Sequence, residues 1–214
     1  MRLLSPLEAR VLGVLVEKQA TVPDTYPMSL NALVGGCNQK TARSPVIEAT
    51  EADVLGALDG LKGLSLVFEG SSSRVVKFEH NTGRVLKLPS QAVALLAVLM
   101  LRGPLTAAEL RLNSERLHRF ADISSVDGFL DEMACKDPAL VVKLARAAGE
   151  REARWAHLLC GEPVQPAARL SAADNDSVGA GEMAALRAEQ TRLAAEVAEL
   201  KTLVQRLTRE LGVD

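Results

Sequence analysis

A mainly α protein with small β-hairpins, an α+β chain, is what this sequence predicts, and three observations predict it. Residues 50–79 read as a capped helix followed directly by a hairpin. The order helix, capped helix, helix, hairpin then repeats at a spacing of about 80 residues. Finally, a leucine heptad begins at Met183. A helix feeding straight into a hairpin is the second half of a winged helix. The expectation is two tandem winged-helix domains, residues 1–85 and 86–160. A flexible linker, 161–181, and a C-terminal coiled-coil helix, 182–212, follow.

Ser5-Pro6-Leu7-Glu8 is a helix start, with a capping serine, proline at the first helical position and glutamate at the third. Leu7, Val11, Val14 and Leu15 mark the buried face through to about Gln19. Residues 20–28 read as a loop around Pro23 and Pro27, and Ser29 caps a short helix from Leu30 to Cys37. The segment Asn38 to Pro45 is polar, holds two cations and is longer than an ordinary helix-turn-helix turn. Thr50 and Asp53 then form a carboxylate version of the capping box. Val54, Leu58 and Leu61 share one helical face, and Gly63 stands where a left-handed turn can end the helix. The hairpin strands are residues 65–69 and 74–79. Leu66 and Phe68 are expected on one face of the first, and Val76 and Phe78 on one face of the second.

The second half restarts near Leu88. Gln91 to Leu101 is apolar nearly all round and belongs deep in a core. Gly103-Pro104 ends it, and Thr106 with Glu109 opens the next helix through a second capping box. Ser124-Ser125 precede a helix marked by Val126, Phe129, Leu130 and Met133, which Pro138 stops. Residues 139–145 and 153–160 read as strands about the turn Ala148-Gly149-Glu150.

Residues 161–181 show no period. After them, Leu186, Leu193, Leu200 and Leu207 fall at heptad d positions, and Met183, Gln190, Val197, Val204 and Leu211 at a positions. β-Branched residues at a with leucine at d favour parallel two-stranded coiled coils, and one polar a residue fixes register. Homodimerisation through Leu186, Gln190, Leu193, Val197, Leu200, Val204 and Leu207 is the expectation. The competing reading is a helix folded back on its own domain.

Charge bounds the function. The chain has 214 residues, 48% hydrophobic and 3% aromatic, with a net charge of −2. Residues 1–85 are net 0, 86–160 net +1 and 161–214 net −3. Neither expected winged helix shows the basic excess common in nucleic-acid binders. Cys37, Cys135 and Cys160 are an odd, scattered set, so neither a disulfide framework nor a zinc pair is expected. Cys37 continues the apolar face of Leu30, Leu33 and Val34 and reads as a small buried hydrophobe. Charged residues interrupt the apolar N-terminus, and the longest apolar run, Ala92 to Leu101, is too short to span a bilayer. A reducing cytoplasm is the expected setting, with no membrane partner.

A family resemblance enters on particular residues. Leu7-Glu8-Ala9-Arg10-Val11, Glu17-Lys18-Gln19, Tyr26-Pro27, and Cys37-Asn38-Gln39-Lys40-Thr41 with Arg43 and Pro45 resemble the YceH-like family of bacterial proteins. So do Leu101-Arg102-Gly103, Glu109-Leu110-Arg111, and Gly149-Glu150-Arg151-Glu152 with His157-Leu158. The resemblance covers roughly residues 3–160. It implies tandem winged helices in a bacterial cytoplasm, and no reaction.

No phosphate loop, nucleophile motif or metal-ligand cluster is visible in the sequence, so no cofactor and no catalysis are expected. Two functions suit such a chain. One is a DNA-associated or transcription-related factor acting as a dimer, an argument by analogy alone. The alternative is a protein-interaction adaptor that binds no nucleic acid. Asn38, Gln39, Lys40, Thr41 and Arg43 are the candidate partner-binding loop. Arg74, Lys77, Arg151 and Arg154 are candidate contacts from the wings to a nucleic-acid backbone. Trp155, the single tryptophan, is either an exposed partner anchor or packing between domains or protomers. The basic run Arg111, Arg116, His118 and Arg119 reads as a solvated helix face. Both third helices expose acids, so neither is expected in a major groove.

Overall fold

Ser5 begins the first helix as its neighbours dictate. Its hydroxyl accepts from the Glu8 amide at 3.1 Å, and the Glu8 carboxylate accepts from the Ser5 amide at 2.7 Å. The resulting helix, α1, runs Pro6–Thr21 and buries every residue from Glu8 to Val16. The computed structural model describes residues 2–70, 76–146, 150 and 152–163.

After a 3-10 turn, Pro23–Thr25, come the two-residue strand β1 (Met28–Ser29) and α2 (Leu30–Cys37), capped by Ser29. Next is α3 (Glu51–Gly63), opened by the Thr50–Asp53 capping box. Strands β2 (Val67–Gly70) and β3 (Lys77–His80) follow, and the three strands pair antiparallel in the order β1-β3-β2. Met28 faces Phe78, as does Glu69 from the other side. The expected loop thus contributes a third strand.

The strand faces also differ from expectation. Phe68 and Val76 are each 44% exposed, while Val67 and Phe78 are buried at 1% and 3%. The cause lies at the end of α3. Ser65, not Gly63, adopts the left-handed conformation, at φ 58°. Leu66 then turns under α3, its amide donating to Leu61, before the strand starts. The strand starts two residues later than expected, and because Leu66 and Val67 are both buried the alternation restarts at Val67 and turns Phe68 outward.

A short helix, α4 (Thr82–Leu86), follows β3, and Lys87 ends it at φ 52°. The second half holds α5 (Ser90–Arg102), α6 (Ala107–Asn113) and α7 (Ile123–Ala134), then the paired strands β4 (Val141–Lys143) and β5 (Trp155–His157). Asp122 caps α7, accepting from the Ser125 amide and hydroxyl at 2.7 Å. Ser124 and Ser125 therefore lie inside that helix, not before it.

Residues Met1–Val164 form a single unit, whose core draws residues from both halves of that stretch. Helix α5 is buried all round from Ala92 to Leu101, and its most extensive partner is α1. The Leu4 amide donates to Leu159, tying the first residues to the last strand region. The heptad residues Leu186, Gln190, Leu193, Val197, Leu200, Val204 and Leu207 lie in the second unit, Gln165–Asp214, outside the described residues.

Candidate functional site

The Asn38–Pro45 segment is held from within. The Asn38 amide group bonds the Ala49 backbone twice, at 2.8 and 2.9 Å, and closes the segment at its base. The Ser44 amide donates to Leu101 of α5 at 2.8 Å. Arg43 turns inward, with no exposed side-chain surface, and meets Glu17 at 2.6 Å. Its Nε donates to the Gly36 carbonyl at 3.1 Å. Burial pushes the Glu17 carboxyl up, but the Arg43 hydrogen bond and charge, with Lys18, outweigh it, and the net shift is downward. Arg43 is therefore a structural strut, which corrects its place among the partner-contacting residues. A guanidinium donates in a fork that matches a carboxylate, so a polar loop next to Glu17 can fold over its own cation. Lys40 and Thr41 remain exposed, and Asn38 and Gln39 are half-buried.

A second guanidinium lies beneath the first. Arg10 is 3% exposed and donates to the Cys37 and Pro45 carbonyls at 3.1 and 2.6 Å. Burial, then the charge of Arg43, pushes its pKa down. Among the described residues it makes no ion pair, and its Nε has no partner. Sequence reasoning passed it over, yet the signal was present. Arg10 stands three residues after Leu7, on the stripe that continues through Val11 and Val14. Cys37 is fully buried and its thiol is pushed up to about 11 by burial, as a small hydrophobe's would be.

The wing candidates divide. Arg74 and Arg151 lie outside the described residues. Lys77 is half-buried on the central strand β3. Arg154 is engaged by Glu109 and Glu150, each at 3.0 Å, and also donates to the Pro104 carbonyl. Trp155 is 2% exposed, so it is core and not an exposed anchor. Its backbone exchanges two hydrogen bonds with Leu105, which draws the ring inward, under Lys143 Nζ at 5.2 Å from the centroid.

Acids dominate the outer faces of the third helices. Glu51, Asp53 and Asp59 are exposed on α3, and Asp131 and Glu132 on α7. Lys62 is drawn to Asp59 and Glu69 at 2.9 and 2.8 Å. Between α6 and α7 lies a concavity of about 360 Å³ lined by Arg111, Leu112, Arg119 and Ile123. Arg111 holds its floor through the Phe120 and Ala121 carbonyls, while Leu112 and Ile123 are 73% and 44% exposed.

A larger cavity, about 560 Å³, opens where the start of α1, residues 44–49, the end of α5 and β5 converge. Its walls are chiefly apolar, and Arg10, His157 and Cys160 are among its polar residues. Burial pushes His157 down to about 4, so the ring is neutral near pH 7. No sequence period marks this cavity, because its residues come from four separate segments.

The family model described as a protein of unknown function, DUF480, matches residues 4–150. A UPF0502 protein of Burkholderia pseudomallei is 64% identical over 214 residues, covering 100% of this chain and 92% of the relative. A UPF0502 protein of Paraburkholderia xenovorans is 65% identical, covering 100% and 91%. This chain belongs to the DUF480, or UPF0502, family of bacterial proteins. The DUF480 match takes in α1 through β4 and with them the buried guanidinium groups of Arg10 and Arg43. Among the described residues of this UPF0502 chain, no group of three or more His, Cys, Asp or Glu is placed to hold a metal. No described helix is long and apolar enough to cross a membrane.

Proposed function

We propose that this chain is a non-catalytic adaptor for protein partners, built from two winged-helix units of the YceH-like kind and paired through its C-terminal heptads. The acidity of α3 and α7 carries this reading. A recognition helix lies between two rows of phosphates. Exposed Glu51, Asp53 and Asp59 on one helix, and Asp131 and Glu132 on the other, oppose that approach. The cations of the candidate loop and wings are partly consumed, since Arg43 serves Glu17 and Arg154 serves Glu109 and Glu150. The α6–α7 concavity combines exposed Leu112 and Ile123 with Arg119, a mixture that protein interfaces use at their centres.

The DNA-associated reading rests on Lys40, which is exposed, and on Lys77. Titration of the full chain into mixed-sequence and genomic DNA at low and moderate salt separates the two. The adaptor reading expects binding to vanish at moderate salt for every sequence. Nanomolar binding to one sequence, lost on Asp131→Ala, overturns it. Pairing is tested by light scattering: a dimer mass is expected for the full chain, reduced by Leu200→Glu. A monomer mass for the unaltered chain ends that part.

A further inference from the structure

We propose that the cavity between the start of α1, residues 44–49 and β5 binds a small monoanion with an apolar body, an alkyl or aryl carboxylate, through Arg10. The inference is independent of the adaptor reading, and either can fail alone.

Arg10 and Arg43 are both buried, and half-buried Glu17 is the one acid bonded to either among the described residues. Arg43 takes both Glu17 oxygens. Arg10 is left with two neutral carbonyls, from Cys37 and Pro45. A buried cation without a counter-ion is costly, and an entering anion removes that cost.

Arg10 Nε and His157 Nδ1 are buried without partners, and both residues line this cavity. Native interiors rarely leave such atoms unpaired. A small side-chain rotation turns Nε–H toward a carboxylate in the cavity. His157, neutral near pH 7, adds a hydrogen bond without adding a charge.

Shape and the remaining charges select the class. A volume of about 560 Å³ lies within the range of small-molecule sites. Leu7, Ile47, Leu99, Met100 and Pro104 supply apolar walls, suited to a hydrocarbon body. Glu48, Asp53 and Glu162 are exposed at the lining, and they repel a dianion more than a monoanion. Inorganic phosphate and phosphate esters are disfavoured on that ground. The wall residue Pro45 also accepts from Arg10, so occupancy should tighten the Asn38–Pro45 segment and stabilise the fold by linkage.

Octanoate is the probe, added to the full chain, with octanol and inorganic phosphate as comparators. Calorimetry should show saturable binding of one octanoate per chain and a rise in Tm. Octanol should bind about tenfold more weakly or worse, because it lacks the charge-assisted hydrogen bond. Arg10→Gln should weaken octanoate by a similar factor, and Ile47→Trp, which fills the cavity from a half-buried position, should abolish binding. In the unaltered protein the Met100 methyl and His157 ring signals should move with octanoate in NMR. Equal affinity for octanol and octanoate overturns the proposal. So does stronger binding of phosphate, octanoate binding that leaves both NMR signals unmoved, or no saturable binding at millimolar octanoate.

Discussion

Arg43 closes on Glu17 with both arms of its fork, Nη1 to Oε1 at 3.1 Å and Nη2 to Oε2 at 2.6 Å. The two residues are 26 positions apart, and the pair joins the Asn38–Pro45 segment to the second half of α1, next to its buried stretch. Removing one partner strands the other charge in the interior. Arg43→Ala should therefore lower unfolding free energy by about 3–5 kcal/mol. Lys40→Ala, three residues earlier on the exposed side, should change it by less than about 0.5 kcal/mol. Urea unfolding of the two variants checks this, and equal effects would remove the strut from the account.

Gly36 and Gly35 should respond to alanine with opposite signs. A Cβ on Gly36 would stand 2.6 Å from Val14 Cγ1, whereas one on Gly35 would meet nothing within 4 Å. Val14 is fully buried and stiff at χ1, so it cannot swing aside. Gly36→Ala should cost about 1–3 kcal/mol through overpacking. Gly35→Ala should gain about 0.5–1 kcal/mol from helix propensity. Val14→Ala combined with Gly36→Ala should recover part of the loss, a coupling that a double-mutant cycle reads directly.

These contrasts show where the sequence was legible. The capping boxes at Ser5, Thr50 and Thr106 were, because both partners of each box lie three residues apart. The burial of α5 and of Cys37 was legible from apolar runs and stripes. Arg43 was not, since its partner is distant in sequence and nothing local distinguishes an inward cation from a solvated one. Phe68 was assigned to the wrong face because a left-handed Ser65 delays the strand, and serine gives no warning of that conformation. The cavity depends wholly on how α1, α5 and β5 meet. Arg10 is the exception that periodicity did mark, as a charge on an apolar stripe.

Trp155, being the single tryptophan, reports its own burial. At 2% exposure its emission should be blue-shifted in the folded protein and largely protected from acrylamide, then shift red on unfolding. Trp155→Ala should cost about 3–5 kcal/mol. Native emission like that of free tryptophan would place the ring outside the core.

Acidification should destabilise the fold in two stages. Burial holds His80 and His157 at about 4, against an ordinary value of 6.5. At His80 the geometry explains the preference for the neutral ring. Nε2 lies 2.8 Å from Gln19 Oε1, and Nδ1 accepts from the Thr82 amide at 3.4 Å, so a proton on Nδ1 would face another donor. At His157, protonation would set a second charge into the cavity that Arg10 lines. With folded values below unfolded ones, the unfolded chain takes up protons first. Stability from these rings is complete above about pH 6.5 and falls as pH drops toward 4. The Glu17 carboxyl, net depressed from 4.5, adds a second loss that begins below that value as its pairing with Arg43 is protonated away. Urea unfolding at pH 7, 6 and 5 should thus give a steady decline before any carboxylate is involved. His157→Gln, which keeps polarity without the titration, should flatten part of that slope. A stability that is level from pH 7 to 5, or a slope untouched in the variant, would show that these histidines are not buried neutral.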